Sequence, residues 1–268
     1  MTIYDLVMQR RHFLVAAVLS VFLTASPAKA LHIVIDPGHG GTDNGAVYGK
    51  TKESDLVLLV SQKLKILLEK NSDFKVSLTR INDVGLSLPA RVKFAEEKRA
   101  DLFVSMHANA ALDSRARGIE FFFQNSLPPD EESLFLASQE NQISADSSDL
   151  YQISGGDDLS RAGDVAAIIE DLKRQHRMHE SLRFSYTLTR SWNEAPRSTS
   201  VTIKQAPFYV ISKTSMPAVL VEIGFLSNPQ ELRQLTNNQY QQDIAQKIYS
   251  ALVSYKEKID KHTTQTLN

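Results

Sequence analysis

Six short apolar runs constrain this chain more than any other feature: 31–36 (LHIVID), 75–80 (KVSLTR), 101–107 (DLFVSMH), 119–123 (IEFFF), 208–212 (FYVIS) and 218–224 (AVLVEIG). Each is of strand length and rich in Val, Ile or Phe, and several are apolar almost from end to end, as strands buried on both faces must be. Between the first two, 54–70 places Leu56, Leu59, Val60, Leu64, Leu67 and Leu68 on one stripe at helical spacing, and 88–99 is a second, weaker helical stretch. Strands alternating with helices predict an α/β fold, a mostly parallel sheet flanked by helices. Asn228-Pro229-Gln230-Glu231 announces a final helix running to about residue 259, with Asn228 as cap, Pro229 in the first helical position and Glu231 three residues past the cap.

The stretch between the fourth and fifth runs has a different character. It carries helical pieces near 131–145 and 163–191 and a polar, Gly-containing linker at 146–160. Joining two strands does not require so long a crossover, and long insertions are commonly lids or regulatory elements. The expectation is one catalytic domain over 31–268 that contains a helical regulatory insertion at about 126–200, before the last two strands.

Residues 1–30 read as an address rather than as part of that domain. A basic pair, Arg10 and Arg11, precedes an apolar run at 13–23 and the small-residue site Ala28-Lys29-Ala30, the order of a secretory signal cut after Ala30. The run is shorter than the roughly 20 apolar residues that span a bilayer, so no stable membrane span is expected once the signal is removed. Arg10-Arg11-His12-Phe13-Leu14 resembles a twin-arginine export signal, and the general secretory route is equally open.

Composition narrows the chemistry. Thirty basic against thirty-one acidic residues give a net charge of −1, which argues against nucleic acid or an anionic membrane as partner. The chain has no cysteine, so disulfides, thiolate nucleophiles and sulfur-ligated metals are excluded, and a metal here needs His and carboxylate ligands.

His39 lies in Asp36-Pro37-Gly38-His39-Gly40-Gly41, directly after the first strand, at the strand end where open α/β sheets place their ligands. The segment lacks the Lys-Ser/Thr of a phosphate loop and the Gly spacing of a dinucleotide fold. His107 ends a second strand in Ser105-Met106-His107-Ala108-Asn109 and should emerge on the same rim, so the two imidazoles are plausible zinc ligands; taken singly, each is more readily a buried hydrogen-bonded His. Glu53 would complete a set of two His and one carboxylate with an open position for water. Glu53 and Asp55 both occupy a first helical turn, where the helix dipole favours carboxylates anyway, and the sequence leaves that choice even.

Glu222 stands inside the apolar strand 218–225, where an unpaired charge is costly. It needs either a basic partner or a role beside a metal, as general base and acid of a hydrolase. His176 and His179, among Lys, Arg, Gln and Glu, read as a solvated helix face, and His32 and His262 have no supporting context.

IVIDPGHGG at 33–41, Lys52-Glu53 before an apolar helix, ADLFVSMHAN at 100–109, GIEFFF at 118–123 and MPAVLVEIGFLSNPQE at 216–231 together resemble the zinc-dependent N-acetylmuramoyl-L-alanine amidases of the AmiA/AmiB/AmiC type. The resemblance implies that His39, Glu53 and His107 bind one Zn2+, that Glu222 is the catalytic glutamate, and that the substrate is peptidoglycan. The bond cut is the amide between N-acetylmuramic acid and the L-alanine of the stem peptide, in cell separation or wall turnover. It also implies a periplasmic location and, from an insertion in the same place in some members, autoinhibition relieved by an activator protein of the LytM type. Ala137-Ser138-Gln139-Glu140-Asn141 is similar to the regulatory segment of those members, with Glu140 as the group that would fill the open zinc position. Val201-Thr202-Ile203 stands where the family usually has Arg-Gly-Val before Lys-Gln, and no separate wall-targeting domain is expected between the cleavage site and the first strand. The rival from another class is a catalytically inactive wall-binding or activator-binding module.

Overall fold

A computed structural model describes residues 29–143, 164–193 and 200–266. The proposed address at 1–30 lies outside them except for its last two residues, as does the whole of the linker at 146–160. The elements in chain order are β1 (Leu31–Pro37), β2 (Val47–Tyr48), β3 (Thr51–Lys52), α1 (Glu53–Glu69), β4 (Phe74–Leu78), α2 (Leu88–Lys98), β5 (Leu102–Asn109) and β6 (Ile119–Phe123), followed by α3 (Glu131–Ile143), α4 (Asp164–Asn193), β7 (Val201–Gln205), α5 (Tyr209–Ser212), β8 (Ala218–Phe225), α6 (Pro229–Leu235) and α7 (Asn238–Thr266).

Six strands form one sheet in the order β4-β1-β5-β8-β6-β7. Every neighbouring pair is parallel except β6 with β8, which run antiparallel. β1, β5 and β8 are buried along their whole lengths, which explains why they read as continuous apolar runs. Successive side chains still point to opposite faces. Ile33 and Ile35 of β1 join the larger core with α1, α4 and α7, whereas Val34 between them joins the smaller core with α2, α3 and α5. Along α7, Ile244, Ala245, Ile248, Ala251, Leu252 and Tyr255 recur at helical spacing and bury one face in the larger core.

One strand assignment is corrected. Residues 208–212 form no ladder: Tyr209–Ser212 is the helical turn α5, which packs Val210 and Ile211 into the smaller core. The missing strand is β7, Val201–Gln205, which pairs with β6 only and lies at the sheet edge. Its mostly half-buried residues mix apolar and polar side chains, so this strand lacks the continuous apolar run that marks the inner strands.

The long connection between β6 and β7 holds two helices, as its composition suggested. The structure divides it, however, because Phe184, Leu188 and Trp192 of α4 are fully buried in the larger core while residues 166–170 are exposed. The second half of α4 is therefore a layer of the domain. At α6, the Asn228 side chain accepts hydrogen bonds from Gln230 N and Glu231 N at 2.9 and 3.2 Å, as a cap should. The Glu231 carboxylate does not close the box; it accepts from Gly118 N at 2.9 Å and Phe225 N at 2.8 Å, tying the helix to the ends of β6 and β8. Among the described residues no helix is long and apolar enough to cross a membrane.

Candidate functional site

The turn that follows β1 carries His39 in a left-handed conformation, φ 56°, a strained backbone for a residue with a Cβ. Two buried arginines hold the turn in place. Arg80 donates to the carbonyls of Pro37 (2.9 Å), Gly38 (2.7 Å) and Ser54 (2.8 Å). Arg91 donates to the carbonyls of Pro37 (2.8 Å) and His39 (2.7 Å) and to the Asp36 carboxylate (2.8 Å). Thr79 and Ser105 also donate to Asp36, at 2.6 and 3.1 Å. Burial opposes the Asp36 charge, but Arg91 beside it and the hydroxyl of Thr79 hold this carboxyl below its usual range.

His107, at the end of β5, faces this turn, with its ring centroid 5.0 Å from that of His39. Gly38 makes the approach possible, since a Cβ there would lie 2.4 Å from the His107 ring. Gly45 does the same for the carboxylate, because a Cβ there would lie 2.6 Å from Glu53 Oε2. Glu53 opens α1 and is buried, while Asp55 is exposed, so the structure makes the choice that the sequence left even.

Glu53 Oε1 lies 3.1 Å from both His39 Nε2 and His107 Nδ1. It accepts from Ala108 N at 3.0 Å, and Oε2 accepts from Ala46 N at 3.0 Å, so the carboxylate is fixed from both sides. Glu140 reaches the same point from α3, its Oε2 3.4 Å from His39 Nε2 and from His107 Nδ1. The far nitrogen of His39, Nδ1, is 2.9 Å from Asp43 Oδ2, which orients the ring.

These four atoms fit a metal. A tetrahedral zinc with bonds of about 2.0–2.1 Å sets its ligand atoms about 3.3 Å apart, and the observed separations are 3.1 and 3.4 Å. His39 Nε2, buried and aimed at the shared point, has no hydrogen-bond partner. Burial works against a charged His39, yet the Glu53 carboxylate and the hydrogen bond to Asp43 push its pKa up to about 11. Burial also opposes the Glu53 charge, but His39 and His107 hold that carboxyl far below its usual range. The cluster thus favours cationic charge at its centre.

Glu222 lies opposite His107 in the β5–β8 register and opposite Glu120 in the β8–β6 register. It is buried, and its Oε2 has no hydrogen-bond partner, so the pairing with an arginine that one reading allowed is not what satisfies this atom. Burial, then the carboxylates of Glu53, Glu140 and Glu120, push its pKa well above the ordinary value. A carboxyl raised in this way holds its proton more tightly than an ordinary glutamate, as a proton donor requires.

Of the residues singled out from the sequence, the structure brings His39, Glu53, His107 and Glu140 together through these contacts and sets Glu222 opposite His107 on the neighbouring strand. His176 and His179 are exposed on α4, and His32 is buried 3.1 Å from the Ser77 hydroxyl, away from the cluster. The reading missed Arg80, Arg91 and Asp43. Arg91 left a trace, since it shares the inward face of α2 with Ala95. On the α3 side of the cluster lies a cavity of about 630 Å3, whose wall includes His39, Glu53, Asn109, Glu120, Glu140 and Lys204.

The N-acetylmuramoyl-L-alanine amidase family model, Amidase_3, matches residues 33–254. The N-acetylmuramoyl-L-alanine amidase AmiC of Escherichia coli O6:H1 is 34% identical over 230 residues, covering 83% of this chain and 52% of its own length. AmiA of Salmonella typhimurium is 30% identical over 225 residues, covering 83% of this chain and 75% of that protein. Among solved structures, the catalytic domain of CwlV, an N-acetylmuramoyl-L-alanine amidase from Bacillus (Paenibacillus) polymyxa var. colistinus, superposes with a TM-score of 0.56 at 27% identity, over 84% of this chain and 97% of that one. The chain spans about half the length of the AmiC relative and three quarters of the AmiA relative.

Proposed function

The chain belongs to the N-acetylmuramoyl-L-alanine amidase family, and from that membership we propose that it hydrolyses the amide between the lactyl group of N-acetylmuramic acid and the L-alanine of the peptidoglycan stem peptide. One observation carries the reading: Glu53 Oε1 lies 3.1 Å from both His39 Nε2 and His107 Nδ1, a donor set suited to zinc, with Glu222 on the neighbouring strand. His39, Glu53 and His107 would hold the ion. Zinc bound there supplies a Lewis acid that lowers the pKa of water and polarises the amide carbonyl.

The chain's own groups do the rest. Asp43 fixes the His39 ring through Nδ1, and the amides of Ala46 and Ala108 fix Glu53. Glu222 takes a proton from the attacking water and delivers it to the departing alanine nitrogen, so one carboxyl serves as base and then as acid. Its raised pKa suits the second task, and cationic charge at the cluster would lower it enough for the first.

The protein is further proposed to be exported to the periplasm by the segment 1–30, to act in cell separation or wall turnover as a catalytic domain over 31–268, and to be autoinhibited. Glu140 supports the last point, because it occupies the fourth corner of the donor set. A closed state favoured by a few kcal/mol leaves a small active population until a partner of the LytM type binds the open form.

The test uses residues 31–268, purified, with zinc content and release of peptides beginning with L-alanine from peptidoglycan as readouts. The expected result is about one zinc per chain, a higher rate in Glu140→Ala and no release in Glu222→Ala. Folded protein that binds wall but neither zinc nor releases peptide in any variant would overturn the reading in favour of a binding module.

A further inference from the structure

Lys204 is the only lysine or arginine among the described residues lining the 630 Å3 cavity, whose other charged walls include Glu53, Asp113, Glu120 and Glu132. Its ammonium is fixed from two sides. Glu120 Oε1, on the sheet, lies 2.8 Å away, and Glu132 Oε2, on α3, lies 3.0 Å away. The two carboxylates are not alike: the Glu120 side chain is 11% exposed and its other oxygen accepts from Asn109 Nδ2 at 2.9 Å, whereas the Glu132 side chain is 71% exposed. The ring of Phe122 lies beneath the ammonium, 5.9 Å to its centroid.

Glu120 therefore sets the position of the charge, and Glu132 only visits it. An ammonium has three donors, so one remains committed to Glu120 when α3 withdraws and the direction now filled by Glu132 opens to the cavity. The helix that places Glu140 at the donor set places Glu132, eight residues earlier, on Lys204. One helix thus covers two polar positions that a bound substrate would need.

We infer that Lys204 is a specificity-determining residue that binds a carboxylate of the stem peptide in the place Glu132 holds while α3 is docked. The inference rests on the amidase reading above. Distance agrees with it. β7 is two strands from β8, roughly 10 Å in the sheet, and an extended chain covers about 3.3–3.6 Å per residue. A carboxylate within the first three residues past the cut spans that interval, and a neutral carboxamide there would keep a hydrogen bond to the ammonium but forgo the ion pair.

The experiment uses residues 31–268 carrying Glu132→Gln and Glu140→Ala, which removes both contacts of α3 with these positions. Two substrates are compared, a muramoyl tripeptide with free carboxylates and its fully amidated counterpart. Turnover is read on this protein, and binding is read by calorimetry on the same protein with Glu222→Gln added. The expected result is a preference for the acid of roughly tenfold or more, from the added charge on the acceptor. That preference should appear in KM rather than kcat, vanish in Lys204→Met and persist in Lys204→Arg. A Lys204→Met protein that keeps the preference, or the absence of any binding preference in the parent, overturns the inference. A binding preference that follows Lys204 without hydrolysis of either substrate leaves the anion site standing and overturns the amidase reading instead.

Discussion

Asn141 caps the helical turn that Tyr209 begins: its Oδ1 accepts the Tyr209 N–H at 2.8 Å, and its Nδ2 donates to the Pro207 carbonyl at 3.1 Å. The residue next to Glu140 thus fastens α3 to the domain by completing a helix end that does not belong to α3. Replacing such a cap costs typically about 1 kcal/mol. With the closed state favoured by a few kcal/mol, Asn141→Ala should raise the activator-free rate of peptide release roughly fivefold. The same variant with Glu140→Ala already present should show no further rise, and a gain of equal size there would show that Asn141 acts elsewhere.

The contact between Asp36 and Arg91 should govern acid stability. Both side chains are buried and 2.8 Å apart. Asp36 has a pKa below that of an unfolded aspartate, so its contribution to stability is fully present above the unfolded value near 4 and is lost as pH falls through the folded value. Asp36→Asn leaves Arg91 without its charge partner and should destabilise the protein by about 3–5 kcal/mol at pH 7. The penalty should shrink as pH falls below 4. Urea unfolding at pH 7 and at successively lower pH measures it, and an undiminished penalty at low pH would count against the assignment.

Asp43→Asn keeps an acceptor for the Gly45 N–H, now 3.0 Å from Oδ1, but removes the carboxylate from His39 Nδ1. Partners of this kind are worth about 10- to 100-fold in metal affinity. Competition with a chelator should show zinc weakened by that factor, with the melting temperature of the metal-free protein little changed. Equal zinc affinity in the variant would mean the His39 ring is held by its own turn alone.

Gly38→Ala tests a purely steric point. The new Cβ would lie 2.4 Å from the His107 ring, and Gly38 is not among the positions with a left-handed φ. The backbone should accept alanine while His107 is pushed from its place, so zinc binding is expected to fall by about 100-fold, as for a misplacement of about 1 Å. A crystal structure of the variant with His107 undisturbed would refute this.

Much of the site was legible because strand ends are legible. His39 and His107 follow runs too apolar to be anything but buried strands, and both runs point the same way in a parallel sheet. Glu222 stood out as a carboxylate in an apolar run. Glu53 could not be told from Asp55, because the distinction depends on which side of the first turn of α1 faces the histidines. The arginines were hidden for the opposite reason. Arg80 and Arg91 satisfy main-chain carbonyls of a turn far from them in sequence, 42 and 54 residues in two of these bonds, and nothing local marks a side chain recruited for that work. β7 was missed because an edge strand need not be apolar, and 208–212 was misread because a short β-branched run packs as well from one helical turn.

The three donors and the proton carrier are unevenly distributed along the chain. His39, Glu53 and His107 all lie within the first 109 residues, in the turn after β1, on α1 and on β5, whereas Glu222 comes from the strand that is inserted beside β5 much later in the sequence. On a ribosome adding about 5–20 residues per second, that interval is on the order of ten seconds. A nascent chain that has already made those three residues still lacks Glu222, so on the amidase reading proposed above the site is completed only when β8 joins the sheet.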